Sequence, residues 1–139
     1  PAYLMQALSL YRERFKPSAQ LQKPYAMAAI PVFAAETEAQ ARYLMSSVQQ
    51  QFIALRRGTP GPLKPPIDNI EQHVSALELA GVAEALAEAV VGDPEQVKAG
   101  LAAFLARTQV DEVMLSGHIF DPAQRLRSFE LAAEACRAL

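Results

Sequence analysis

Apolar residues recur at helical spacing from the start of the chain: Leu4, Leu8, Tyr11 and Phe15 lie on one stripe, with Gln6, Arg12 and Glu13 opposite. The pattern predicts a helix over residues 2–16, closed by Pro17-Ser18. Tyr25 to Ala35 is continuously apolar, as a strand buried on both faces would be. Pro31 interrupts that reading because it cannot donate a ladder hydrogen bond, and it implies an edge, a bulge or a strand end. Thr37 with Gln40 has the spacing of a capping box, and Ala41, Leu44, Val48, Phe52 and Leu55 carry the helical period to Arg56-Arg57-Gly58. A strand–helix unit is therefore expected over 25–57.

The next stretch, 58–67, holds four prolines and two glycines up to Pro66 and must be a loop. Asp68 with Glu71 is placed to cap a helix over 69–87 through Val74, Leu77 and Ala80, with Gly81 weakening or breaking it before Val82 and Leu86. Two further strand–helix units follow, over 89–107 and 110–138. Ala89 to Gly92 feeds Asp93-Pro94-Glu95-Gln96, which supplies an N-cap, a first-turn proline and an N3 partner, and then a stripe of Val97, Leu101, Phe104 and Leu105. Val110 to Leu115 is β-branched-rich, Asp121-Pro122-Ala123-Gln124 repeats the punctuation, and Leu126, Phe129, Ala133 and Cys136 are expected to face inward along the last helix.

Strands alternating with helices imply a parallel sheet with right-handed crossovers. Three such strands leave open sheet edges and give the first helix no obvious seat, so the pattern asks for more chain. Eight units would close a barrel of roughly 250 residues. The expected fold class is α/β: the C-terminal portion of a (β/α)8 barrel, about three parallel strands with flanking helices, forming a single partial domain over 1–139. A start at Pro1 rather than Met, with a helical pattern already running by Leu4, fits that expectation.

Composition narrows the partners. Of 139 residues, 15 are acidic and 13 basic, for a net charge of −2, which leaves no bulk field for binding nucleic acid. Arg56-Arg57 lacks the interleaved aromatics of a nucleic-acid site and complements a helix C-terminus instead. Cys136 is the single cysteine, so no intramolecular disulfide can form, and with only His73 and His118 beside it no zinc cluster or other metal site is expected. A cytoplasmic location is the expectation. No apolar run approaches the roughly 20 residues that cross a bilayer, and Pro1-Ala2-Tyr3 does not open a targeting segment.

Taken together, several stretches resemble the C-terminal part of the bacterial-luciferase-like, flavin-dependent monooxygenases. They are Arg12-Glu-Arg-Phe-Lys-Pro-Ser18, Ala34-Ala-Glu-Thr-Glu-Ala-Gln-Ala41, Val90-Val-Gly-Asp-Pro-Glu-Gln-Val97, Thr108-Gln-Val-Asp-Glu-Val-Met-Leu115 and Arg125-Leu-Arg-Ser-Phe-Glu-Leu131. Their order and spacing over a hundred residues carry the resemblance; each alone is short. One departure is Asp121-Pro122, where many relatives have an Asp-His pair. The resemblance implies a fifth helix and strands six to eight of a barrel. It also implies chemistry in which reduced FMN, supplied by a separate flavin reductase, or a deazaflavin activates oxygen to oxidise a small organic substrate. Most groups holding the flavin would then lie upstream of this chain, and a homo-oligomer is the expected state.

Function-bearing side chains of barrel enzymes sit at the C-terminal ends of the strands. That selects Glu36, Ser116 and His118 as candidates at the barrel mouth, with the catalytic and cofactor-binding residues proper left unassigned. His118 could hydrogen-bond flavin or substrate, or be a solvated turn residue; Ser116 could face the mouth or satisfy its own turn. Asp93 and Asp121 are read as helix caps, His73 as a helix-surface residue, and Arg127 as an i,i+3 partner of Glu130. A non-catalytic α/β binding or assembly module derived from the same fold is the alternative. A receiver-like phosphoacceptor domain fits poorly, because Ala34-Ala35 stands where its acidic cluster is needed.

Overall fold

The computed structural model describes residues 2–139; Pro1 lies outside the described residues. In chain order the elements are α1 (Ala2–Arg14), β1 (Met27–Ala34), α2 (Glu38–Arg56), a 3-10 turn (Ile70–Gln72), α3 (Ala76–Ala85), β2 (Val90–Gly92), α4 (Pro94–Thr108), β3 (Glu112–Ser116) and α5 (Pro122–Arg137). The fold is α/β, with three parallel strands in an open sheet and helices flanking it.

The strand order is β2-β1-β3. β3 pairs with β1 from Met27↔Glu112 to Pro31↔Ser116, whereas β2 pairs only with Val32 to Ala34. Reading the three strands as neighbours six, seven and eight of a barrel places the second between the first and third, and this order does not. β1 has two edges: the three-residue ladder of Val90–Gly92 takes one of them near its C-terminal end, and the five-residue ladder of Glu112–Ser116 takes the other along its N-terminal part. Pro31 thus falls inside the central strand, where the β3 ladder ends and the β2 ladder begins. Over Met27–Pro31 β1 is paired on one side alone among the described residues, so a missing N–H is tolerated there.

Side-chain alternation along β1 divides the core. Ala28, Ile30, Val32 and Ala34 pack against Val97, Leu101 and Phe104 of α4, Leu131 and Ala135 of α5, and Leu8 of α1. On the opposite face Phe33, with Ala35, packs against Ala41, Leu44 and Val48 of α2 and Ile119. A smaller cluster of Ile53, Ile70 and Val82 ties α3 and the 3-10 turn to α2.

Three helical expectations are corrected. The segment 69–87 is helical only from Ala76, where Ser75 and Glu78 form a full capping box; Asp68 and Glu71 make no cap, Asn69 is left-handed at φ 48°, and Leu77 is 83% exposed. Gly81 does not break α3, which runs through it, and the Arg56 guanidinium lies where a Cβ would be. On α5 the inward stripe is Ser128, Leu131, Ala132 and Ala135, while Leu126 is 62% exposed. On that stripe the buried Ser128 hydroxyl bonds to β1. Leu55, expected inward on α2, is exposed as well, and so is Tyr11 on α1.

Candidate site at the C-terminal ends of the strands

Because the strands are parallel, their C-terminal ends and the N-termini of the helices that follow converge on one end of the sheet. Each of these helices has a side-chain cap: Thr37 Oγ1 accepts the Gln40 N–H at 3.2 Å, Asp93 Oδ1 that of Gln96 at 2.9 Å, and Asp121 Oδ1 that of Gln124 at 2.8 Å. Only Asp93 completes a reciprocal box, with Gln96 Oε1 accepting the Asp93 N–H at 3.0 Å. Gln40 and Gln124 reach each other instead, Nε2 to Oε1 at 3.3 Å, joining α2 to α5. Gln96 also donates to Glu38 Oε2 at 2.8 Å, and this bond, together with Arg42, lowers the Glu38 carboxyl below its ordinary pKa.

The three candidates separate in this setting. Glu36 accepts two hydrogen bonds from Arg127, at 2.9 Å from Nε and 2.7 Å from Nη2, so its carboxylate is committed to an ion pair between the end of β1 and α5. Glu130, the partner expected for Arg127, is the weaker one at 3.4 Å. Ser116 is half-buried and its hydroxyl points back at the Ile30 carbonyl, 3.4 Å away. His118 is exposed and makes no hydrogen bond among the described residues; its imidazole is the uncommitted one of the three. The backbone before it is held close: a Cβ on Gly117 would lie 3.2 Å from the Val32 carbonyl oxygen and 3.3 Å from the Phe129 ring.

His118 borders a cavity of about 290 Å³ whose walls are Pro31 and Phe33 of β1, Val48 and Phe52 of α2, and Leu86 after α3. Gln51 is the other polar group on it. An apolar cleft with two polar side chains suits a small, largely apolar organic molecule, near the lower end of the roughly 300–1,000 Å³ of ligand pockets. Phe52, Leu86 and Gln51 come from segments that carry no recognisable motif, and periodicity alone marks the two apolar ones only as core. A wider groove of about 470 Å³ lies away from the strand ends, along α2, with Arg57, Lys64 and His73 on its walls. His73 there closes the 3-10 turn, a correction to its reading as a helix-surface residue. Arg57 is bound to Glu78 at 2.6 Å, which lowers the Glu78 carboxyl to about 2 and leaves the groove without a free arginine there.

Among the described residues no group of acidic, histidine or cysteine side chains has the arrangement of a metal site, and no helix is long and apolar enough to cross a membrane. Cys136 is partly buried, and that burial raises its thiol pKa.

No protein-family model matches the chain. The "Luciferase-like monooxygenase" of Escherichia coli (strain K12) is 50% identical over 134 residues, 96% of this chain and 40% of that protein. "Uncharacterized protein YvbT" of Bacillus subtilis (strain 168) is 46% identical over the same shares. The crystal structure of apo-MsnO8 superimposes with a TM-score of 0.75 at 24% identity, covering 97% of this chain and 42% of that one, which shows the likeness of fold. The chain thus spans about two-fifths of the length of the curated relatives it matches. On its sequence it belongs to the luciferase-like proteins and corresponds to their C-terminal part.

Proposed function

We propose that the chain acts as part of a flavin-dependent monooxygenase, in which it supplies one apolar wall of the site and the imidazole of His118. The observation that carries this reading is the cavity beside His118, just past the end of β3, in a chain half-identical to a protein named for monooxygenase activity. The rest of that activity, with reduced FMN or a deazaflavin as cofactor, oxygen as oxidant and a (β/α)8 barrel as scaffold, belongs to this proposal.

The N-termini of α4 and α5 do not fit the phosphate end of such a cofactor. At the strand ends the N-termini of α4 and α5 are already satisfied by the carboxylates of Asp93 and Asp121, which repel an anion, and Arg127 is held by Glu36. What this chain's residues do is exclude water with Phe33, Val48, Phe52 and Leu86, and offer the His118 imidazole to one polar atom of a bound molecule.

The test is made on the protein from its native source. Under anaerobic conditions reduced FMN is titrated in, and oxygen uptake is then followed on aeration with small aldehydes and ketones. The reading expects substrate-dependent oxygen uptake that requires the flavin. Failure of reduced flavin to bind, or oxygen uptake indifferent to the protein, overturns it in favour of a binding or assembly role.

A further inference from the structure

The groove of about 470 Å³ along α2 shares no lining residue with the cavity beside His118, although both lie against that helix. Gln50, Ile53, Ala54 and Arg57 turn one face of α2 to the groove, and Val48, Gln51, Phe52 and Leu55 turn another to the cavity. The apolar part of the groove is buried Ile53 together with Ile67 and Val74, which pack against the cluster of Ile53, Ile70 and Val82. Its polar part includes Arg57, Lys64 and His73, and no carboxylate lines it.

The segment that carries Lys64 is pinned to α2 on both sides. Thr59 donates to the Ala54 carbonyl twice, from its backbone N–H at 2.9 Å and from its hydroxyl at 3.3 Å. Beyond Lys64, Gln50 Nε2 donates to the Pro65 carbonyl at 2.9 Å, and the Ile67 N–H donates to Ser46 Oγ at 2.8 Å. Pro60, Pro62, Pro65 and Pro66 stiffen the backbone between these bonds, so the wall is ordered before a ligand arrives. Arg57 is neutralised by Glu78, to which its Nε donates at 2.6 Å. The Lys64 ammonium and the His73 ring have no hydrogen-bond or ion-pair partner among the described residues, which leaves the groove one uncompensated positive charge beside a free imidazole.

We infer that this groove binds a small organic carboxylate, with its anionic head paired to Lys64 and His73 and its hydrocarbon body over Ile53, Ile67 and Val74. A bare inorganic anion would leave the apolar floor uncovered, and a neutral apolar molecule would leave the ammonium without a partner. The volume of the groove lies within the roughly 300–1,000 Å³ of small-molecule sites. Neither flavin nor oxygen takes part, so the inference goes beyond the proposed function and does not depend on it.

The test titrates the protein with octanoate by calorimetry and follows the ring protons of His73 and His118 by NMR, with a His118→Ala variant making the assignment. The inference expects one saturable site that moves the His73 resonances and leaves those of His118 in place. Acetate and inorganic phosphate lack the apolar body and 1-octanol lacks the charge, so each should bind at least severalfold more weakly. Lys64→Gln, at an exposed loop position, should weaken octanoate by roughly fivefold, the equivalent of one exposed ion pair. Added salt should weaken octanoate on the parent protein and leave 1-octanol unaffected. Absence of saturation overturns the inference, and so does an octanoate affinity that Lys64→Gln leaves unchanged. Shifts confined to His118 overturn it by placing the carboxylate in the cavity, and phosphate bound as tightly as octanoate does so by reducing the groove to a site for bare anions.

Discussion

Ser128 Oγ accepts the backbone N–H of Ala34 at 2.8 Å, with both residues about 1% exposed. This bond ties α5 to the C-terminal end of β1. Replacing the serine with alanine leaves a buried amide without a partner, at a cost of about 1–3 kcal/mol. Urea unfolding of Ser128→Ala against the parent chain measures this directly; a loss below a few tenths would mean that the amide finds another acceptor.

Arg12 donates from Nη2 to the carbonyl oxygens of Thr108 and Gln109, at 2.8 and 2.6 Å. A guanidinium on α1 thereby closes the C-terminus of α4, where Gln109 turns left-handed at φ 53°. Arg12→Met keeps the apolar stem and removes both bonds, and is expected to cost about 1–2 kcal/mol with faster amide exchange at Thr108 to Asp111. Exchange at those amides equal to that of the parent would show that α1 does not hold this end.

Gly92 has φ +156°, and a Cβ there would lie 2.4 Å from Gln96 Oε1, the atom that completes the Asp93 capping box. Gly92→Ala should therefore cost more than the ~1 kcal/mol of losing the Asp93 cap itself. Thermal unfolding of Gly92→Ala beside Asp93→Ala checks the order; the reverse order would show that Gln96 can move aside freely.

Glu78 has its carboxyl pKa lowered from 4.5 to about 2, first by its bond to Arg57 and then by the Ser75 amide and hydroxyl. A lowered folded-state value means that its contribution to stability is complete above the unfolded value and disappears as pH falls through the folded one. Glu78→Gln should melt below the parent chain near neutral pH, with the gap narrowing from pH 4.5 down to about 2. A gap independent of pH would assign the effect to packing.

His118 is exposed and unbonded, so His118→Ala should change stability by no more than about 0.5 kcal/mol. If its imidazole holds a polar atom of a molecule in the cavity, the same change lowers kcat/KM in the oxygenation assay by roughly fivefold to tenfold, the equivalent of one hydrogen bond. Unchanged kinetics would remove His118 from the site.

Elements whose stabilisation is local could be read from the residues themselves. The Asp93-Pro94-x-Gln96 box and the Thr37 and Asp121 caps arise within four residues, and the helical stripe from Ala41 to Val48 within eight. The same holds for the alternation of strands and helices. What depended on distant partners could not be read in this way. Gln40 and Gln124 have identical roles in sequence, yet they abandon their boxes because the fold brings them together. Glu36 becomes half of an ion pair with a residue 91 positions away, which leaves His118 as the uncommitted candidate. β2 and β3 pair with β1 on its two edges along different stretches, and the face that α5 buries carries Ser128 and Leu131 while Leu126 points outward. Local hydrogen bonding is encoded residue by residue, whereas pairing and facing are settled by which surfaces the whole chain can bury at once.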